Sequence, residues 1–158
     1  MTDHTPSPDP PSPTTPLETP PVADADTLTA DFDRAVRLRE EGLVQESCAL
    51  LRRVVRGRAA LEGAETLDTQ CAMSQLGRSL RALGAYEEAT RLHREVLRIR
   101  QQQYGATHAY TLNSAGILIA TLRMQGNHAA AAEVERQYSQ PPAGSPNAPF
   151  VARPRSDR

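Results

Sequence analysis

The sequence predicts an all-α fold: an α-solenoid of three antiparallel helix hairpins, six helices in all, between two disordered ends. Gly42, Gly84 and Gly126 stand 42 residues apart, and similar apolar and small residues surround each of them. A fixed period of this length is typical of stacked repeats. All 13 prolines lie between positions 6 and 21 or between positions 141 and 154. Because proline breaks a helix interior, regular helices are confined to the segment between these two groups.

Residues 1–26 are expected to form a disordered tail, because this Pro-, Ser- and Thr-rich stretch has almost no large apolar residue to bury. It carries five Ser/Thr-Pro pairs, which either serve as phosphorylation sites or simply reflect a linker composition. Residues 139–158 are expected to form a second disordered tail, which is basic near its end.

The first repeat, at about residues 27–65, is predicted to pair a sparsely apolar helix with a strongly apolar one. In the first helix, Asp31 and Arg34 suit the polar outer face that the end of a repeat stack requires. The apolar stripe of that helix consists of Leu28, Phe32, Ala35 and Leu38, and that of the second helix of Val44, Leu50, Leu51, Val54, Val55 and Leu61.

The second and third repeats, at about residues 66–107 and 108–138, each show apolar residues at helical spacing on both sides of the glycine. The glycine supplies the left-handed turn that ends one helix and begins the next. Thr66 and Thr107 are the predicted N-caps. The apolar sets are Met73, Leu76, Leu80 and Leu83; Ala89, Leu92, Val96, Leu97 and Ile99; Leu112, Ala115, Ile119 and Leu122; and Ala131, Val134 and Tyr138.

These residues carry a resemblance to a known family. The run Ala85-Tyr86-Glu87-Glu88-Ala89, followed by Tyr104-Gly105-Ala106-Thr107-His108 and Thr111-Leu112-Asn113-Ser114-Ala115, resembles the tetratricopeptide repeat. It is similar to the long, 42-residue variant of kinesin light chains and many bacterial regulators, and the likeness covers about residues 28–138. Small residues at Ala35, Gly77, Ala89 and Ala131 would let neighbouring helices approach closely. All 18 basic residues are Arg, which we interpret as the codon bias of a GC-rich bacterial genome.

Composition argues against several function classes. The net charge is −1, so no overall field favours nucleic acid or an anionic membrane. No apolar run approaches the roughly 20 residues of a membrane span, and no signal peptide is visible, so a cytoplasmic protein is expected. Neither the four histidines nor Cys48 and Cys71 have metal-site spacing, and no catalytic or cofactor motif occurs. We therefore expect a protein that is not an enzyme and needs no cofactor.

The resemblance implies a partner-binding site on the concave face. Arg39, Arg81 and Arg123 stand three residues before the three glycines, a place that lines the concave groove in tetratricopeptide proteins. The arginine fork suits carboxylates, so an acidic peptide or protein is the favoured partner. The predicted partner-binding residues are Arg39, Arg78, Arg81, Asn113 and Arg123, and the resemblance adds Cys71, Ser74, Gly116, Ala120 and Met124 to the groove.

Two alternatives remain open at this point. The three arginines that precede the glycines are also compatible with ordinary solvated surface. Arg52, Arg94 and Arg136 recur with the same period on second helices that should face outward. The leading function is a protein–protein interaction module with a scaffold or regulatory role. The alternative is a self-assembly unit, such as a homodimer, in which the last helix offers Ala131, Val134 and Tyr138 to a second copy.

Overall fold

The computed structural model describes residues 24–139, and within this range it contains six helices and no strand. The helices are α1 (Ala25–Glu40), α2 (Val44–Glu62), α3 (Leu67–Ala82), α4 (Tyr86–Tyr104), α5 (Ala109–Met124) and α6 (His128–Ser139). Each helix packs against the next one along the chain, and α1 also touches α3. The three hairpins α1–α2, α3–α4 and α5–α6 confirm the predicted all-α solenoid.

The tails predicted to be disordered lie outside the described residues, apart from their edges. Ala25 and Asp26 already belong to α1, and Ser139 still belongs to α6. None of the helices within residues 24–139 combines the length and apolar character that crossing a membrane requires.

The N-cap residues of α1, α3 and α5 recur every 42 residues. Asp24 caps α1 by accepting a hydrogen bond from the Thr27 amide at 2.7 Å. Thr66 caps α3, as predicted. Thr107 does not cap α5: the cap is His108, whose Nδ1 accepts from the Tyr110 amide at 3.2 Å. The three caps stand at positions 24, 66 and 108, so the prediction of Thr107 missed the register by one residue.

The hairpin turns repeat almost identically. Gly42, Gly84 and Gly126 have φ of 83°, 78° and 82°, which confirms the predicted left-handed turns. In each turn the residue after the glycine donates its amide to a carbonyl five residues back. These bonds measure 2.8 Å for Leu43, 2.9 Å for Ala85 and 2.8 Å for Asn127. This pattern satisfies carbonyls at the helix end, so the same turn fixes all three hairpins.

Two apolar clusters hold the stack together, one on each side of the middle hairpin. Ala35 and Ala89 are completely buried and Ala131 nearly so, which confirms that small residues allow close helix contact. The first cluster joins hairpins one and two through Ala35, Cys48, Leu51, Leu76, Leu80 and Ala89. The second joins hairpins two and three through Leu97, Ala115, Leu118, Leu122 and Ala131.

Several predicted surface and core positions differ from expectation. Asp31, expected on a polar outer face, is turned toward α2 and forms an ion pair with Arg53. Leu112, expected in the apolar stripe of α5, is 41% exposed. The apolar side of α6 is not left open, because Val134 and Tyr138 pack on the second cluster and the Tyr138 hydroxyl donates to Gln101 Oε1 at 2.6 Å.

Two buried arginines tie the hairpins to one another. Arg58 and Arg100 stand 42 residues apart near the ends of α2 and α4, and each is only 6% exposed. Arg58 donates to the Asp68 carbonyl at 2.9 Å, across the join to α3. Arg100 donates to the Tyr110 carbonyl at 3.4 Å and to Ser114 Oγ at 2.9 Å, across the join to α5, and to Gln70 Oε1 of α3 in its own hairpin at 3.0 Å. The equivalent contacts hold successive hairpins in similar orientations.

Candidate functional site

A concave cleft opens between the first helices of the three hairpins. Its volume is about 620 Å³. Because α1, α3 and α5 present residues to it, a ligand in the cleft would touch all three repeats. The residues that line it are Arg39 from α1; Arg78, Arg81 and Ala82 from α3; and Asn113, Gly116, Ile117, Ala120 and Met124 from α5.

One side of the cleft is an arginine corner, formed by Arg39, Arg78 and Arg81. The repeat period brings Arg39 and Arg81 to equivalent places, and Arg78 lies one helical turn before Arg81 on the same face of α3. All three side chains are half-buried. None of them takes part in the ion pairs found among residues 24–139.

The arginine corner is electrostatically unfavourable in the free protein. Burial lowers the pKa of Arg78, and the neighbouring charges of Arg39 and Arg81 lower it further. The Nε of Arg39 is enclosed and has no hydrogen-bond partner among the described residues. Like charges held together without a counter-ion repel, so the corner favours an anion from outside.

The opposite side of the cleft is mostly apolar. Ile117 is half-buried, Ala120 is exposed and Met124 is 54% exposed, although it is a large apolar side chain. Gly116 leaves the backbone of α5 open, since nothing lies within 4 Å of the place where a Cβ would stand. Asn113 is exposed beside them, and its amide can both donate and accept hydrogen bonds. This wall can therefore hold an apolar side chain and a length of peptide backbone.

The structure brings together four of the five predicted site residues: Arg39, Arg78, Arg81 and Asn113. It separates Arg123, whose guanidinium donates to Glu135 Oε2 of α6 at 2.8 Å. The positions equivalent to Glu135 in the first two hairpins are Leu51 and His93, so α2 and α4 carry no acid at this place to pair with Arg39 or Arg81.

Other expected groove positions also differ. Cys71 and Ser74 are half-buried but do not line the cleft, whereas Ile117 does and was not predicted. The spacing Asn113, Ile117, Ala120 follows one face of a helix and could have identified Ile117.

A buried histidine lies beneath the arginine corner. His93 of α4 is 1% exposed, its Nδ1 is 3.0 Å from Thr121 Oγ, and its Nε2 has no hydrogen-bond partner in residues 24–139. A Cβ on Gly77 would come within 2.3 Å of that Nε2. Burial, with smaller contributions from Arg81 and Arg78, lowers the pKa of His93 to about 4. The imidazole is therefore neutral at pH 7.

The arginines on the second helices have different surroundings. Arg52, Arg94 and Arg136 are all exposed, as predicted. Arg52 pairs with Glu88 at 2.9 Å and Arg136 pairs with Glu133. Two of these three outer arginines thus have acidic partners, in contrast to the arginine corner.

The described residues contain no group of three or more His, Cys, Asp or Glu side chains that could hold a metal ion. Cys48 and Cys71 are free thiols, Cys48 buried and Cys71 half-buried. The side chains that line the cleft are those of Arg, Asn and apolar residues, which can hydrogen-bond an anion and pack against an apolar group.

Comparison with known proteins agrees with this geometry. The family model described as Tetratricopeptide repeat matches residues 26–102 and again residues 68–140. The chain belongs to the tetratricopeptide repeat family. No curated protein matches it.

Solved tetratricopeptide structures share the fold. A Podosopora anserina protein of kinesin-light-chain type, with nearly identical TPR-like repeats, is 25% identical, with a TM-score of 0.66 over 73% of this chain and 55% of that chain. A single-substitution variant of it is 24% identical, with a TM-score of 0.68 over 77% of this chain and 57% of that chain.

BtubC (BKLC) from P. vanneervenii is 16% identical, with a TM-score of 0.65 over 85% of this chain and 56% of that chain. The chain thus spans a little over half the length of these structures. The likeness confirms the predicted resemblance to kinesin-light-chain repeats.

Proposed function

We propose that this tetratricopeptide chain binds an acidic segment of a partner protein in the concave cleft and so acts as a scaffold or regulatory module. Tetratricopeptide repeats are generally a protein-interaction fold, and solenoids use their concave surface for this purpose. The observation that carries the proposal is the arginine corner, where Arg39, Arg78 and Arg81 meet without an ion-pair partner from the described residues 24–139.

The physical argument is the repulsion in the empty cleft. Each guanidinium presents a planar fork of donors that can bind a carboxylate through two parallel hydrogen bonds. An acidic side chain entering the cleft would relieve the repulsion around Arg78. The gain is larger than on an open surface, because partial burial reduces screening by water.

The apolar wall supports a peptide as the ligand. Met124 and Ile117 can pack against an apolar residue next to the acidic one, and Asn113 can hydrogen-bond the peptide backbone. Self-assembly through α6 has less support, because Val134 and Tyr138, the residues suggested for that contact, pack on α4 and α5 of the same chain.

A pair of charge-matched variants tests the proposal by capture of partner proteins from an extract of the source organism. Arg78→Ala with Arg81→Ala removes two charges from the corner. Arg91→Ala with Arg94→Ala removes two charges at the same spacing from the exposed face of α4.

We expect the first pair to lose a partner identified by mass spectrometry with the wild type, and the second pair to retain it. Equal losses in both pairs would mean that the overall charge, rather than the cleft, attracts the partner. Circular dichroism of both pairs checks that the fold is unchanged.

A further inference from the structure

The arginine corner holds more positive charge than one carboxylate can balance. We propose that Arg39, Arg78 and Arg81 together bind the doubly charged phosphate of a phosphorylated Ser or Thr on the partner protein. This inference rests on the proposed function, since it names the ligand class of the same cleft.

The numbers of charges and hydrogen bonds favour a phosphate over a carboxylate. Three guanidinium groups from α1 and α3 reach the corner, and no acidic side chain among residues 24–139 lines the cleft. A carboxylate carries one charge and two oxygens, so it would leave part of the corner uncompensated. A phosphate monoester carries about −1.5 to −2 charges at pH 7 and three strong acceptor oxygens, one for each guanidinium.

The burial of the arginines points the same way. Arg39 and Arg81 are half-buried, which reduces the screening of their charges by water. Arg78 is half-buried between two like charges. Arg94, by contrast, is exposed and does not line the cleft.

The rest of the cleft indicates that the phosphate is attached to a protein. Free phosphate would use the arginine corner alone and leave Asn113, Ile117 and Met124 without a ligand contact. A phosphorylated side chain at the corner would place its own backbone and neighbouring residues along that second wall. The cleft volume of about 620 Å³ is far more than a phosphate ion needs.

The test uses the full chain and three defined probes: N-acetyl-phosphothreonine amide, N-acetyl-aspartate amide and inorganic phosphate. Calorimetry gives the affinities, and the NMR signals of the arginine Nε–H groups show where each probe binds. At pH 7.5 we expect phosphothreonine amide to bind about tenfold tighter than aspartate amide, as one additional charge-assisted hydrogen bond would give.

The pH dependence supplies a second readout. The second pKa of a phosphate monoester is about 6, so the affinity for phosphothreonine amide should fall several-fold between pH 7.5 and pH 5.5, whereas that for aspartate amide should not. His93, the titratable group packed beneath the corner, has a pKa of about 4 and stays neutral across this window.

The variants complete the test. Arg78→Ala with Arg81→Ala should abolish phosphothreonine binding, and Arg91→Ala with Arg94→Ala should leave it unchanged. Equal affinities for the phosphothreonine and aspartate amides, without pH dependence, would overturn the phosphate inference and leave the proposed function standing. Inorganic phosphate binding as tightly as phosphothreonine amide would overturn the assignment to a protein ligand.

Failure of this inference can be told apart from failure of the proposed function by phosphatase treatment of the extract. A partner that is still captured after the treatment, and lost only with the arginine-corner variant, would contradict phosphate recognition while supporting the cleft as the binding site. A partner lost after the treatment supports the inference.

Discussion

His93 shows how much one side chain in this stack depends on its neighbours. Its ring is enclosed where α3, α4 and α5 meet, with Thr121 on one side and the bare backbone of Gly77 on the other. Two arginines of the overlying cleft add to the cost of placing a proton on it. A neutral imidazole is stable here, and a charged one has no counter-ion to compensate its loss of water.

This position makes stability depend on pH. Burial lowers the pKa of His93 from 6.5 to about 4, so between these values the unfolded chain binds more protons than the folded one. The contribution of His93 to the free energy of unfolding is therefore fully present above pH 6.5 and is lost as the pH drops toward 4. The loss is about 3 kcal/mol at most.

Urea unfolding at pH 7 and pH 4.5 measures the effect. In His93→Gln the loss of stability between these two pH values should be smaller than in the wild type, because no imidazole titrates at this position. Similar losses in both proteins would show that the carboxylates alone cause the acid sensitivity.

At the scale of elements, the period of 42 residues allowed much of the fold to be predicted. The left-handed glycines, the small residues at helix contacts and the pairs of helices all recur with this period, and three periods predict six helices. The error at Thr107 was local, because a threonine is a familiar cap and a histidine is not. Comparing position 66 with position 108 would have corrected it.

Features that depend on contacts between helices were harder to predict. The structural contacts of Arg58 and Arg100 were not predicted, although the 42-residue spacing of these two residues was a signal. Arg123 shares the column of Arg39 and Arg81, but only α6 carries an acid, Glu135, within its reach. Residues that recur every 42 positions occupy equivalent places on the backbone, whereas the partners of their side chains differ from repeat to repeat.

Two helix glycines provide a prediction about packing between elements. Alanine forms helix better than glycine by about 1 kcal/mol, so Gly→Ala should stabilise a helix where space allows. At Gly77 the new methyl would meet the His93 ring at 2.3 Å, and such overpacking costs about 1–3 kcal/mol. At Gly116 nothing lies within 4 Å.

Thermal and urea unfolding should therefore show Gly77→Ala to be less stable than the wild type and Gly116→Ala to be slightly more stable. The two changes are chemically identical and both lie within helices, so each is the control for the other. A stabilised Gly77→Ala would mean that α3 and α4 are not in close contact at His93.

At the scale of the whole molecule, charge is distributed unevenly although the total is −1. The outer arginines Arg52 and Arg136 are neutralised by acids on the helix surface, and Arg123 by Glu135. The arginine corner forms no such pair with any of the residues that the structure describes. The cleft therefore gathers three positive charges that have no ion-pair partner among the described residues, as expected if stability is exchanged for binding at a functional site.

This exchange predicts that removing a cleft charge stabilises the free protein. Arg78→Gln takes away the central charge of the corner and keeps a polar side chain of similar reach. We expect its free energy of unfolding to rise by about 0.5 kcal/mol at low salt, the size typical of partly exposed charge interactions. The gain should shrink as salt is added, because screening acts over roughly 10 Å at 0.1 M.

Arg94→Gln, on the exposed face of α4, is the matched control and should change stability little at either salt concentration. Denaturation of the three proteins at low and high salt decides the matter: a destabilised Arg78→Gln would mean that Arg78 has a structural role, and the corner would then have to be assigned to the fold instead of to a ligand.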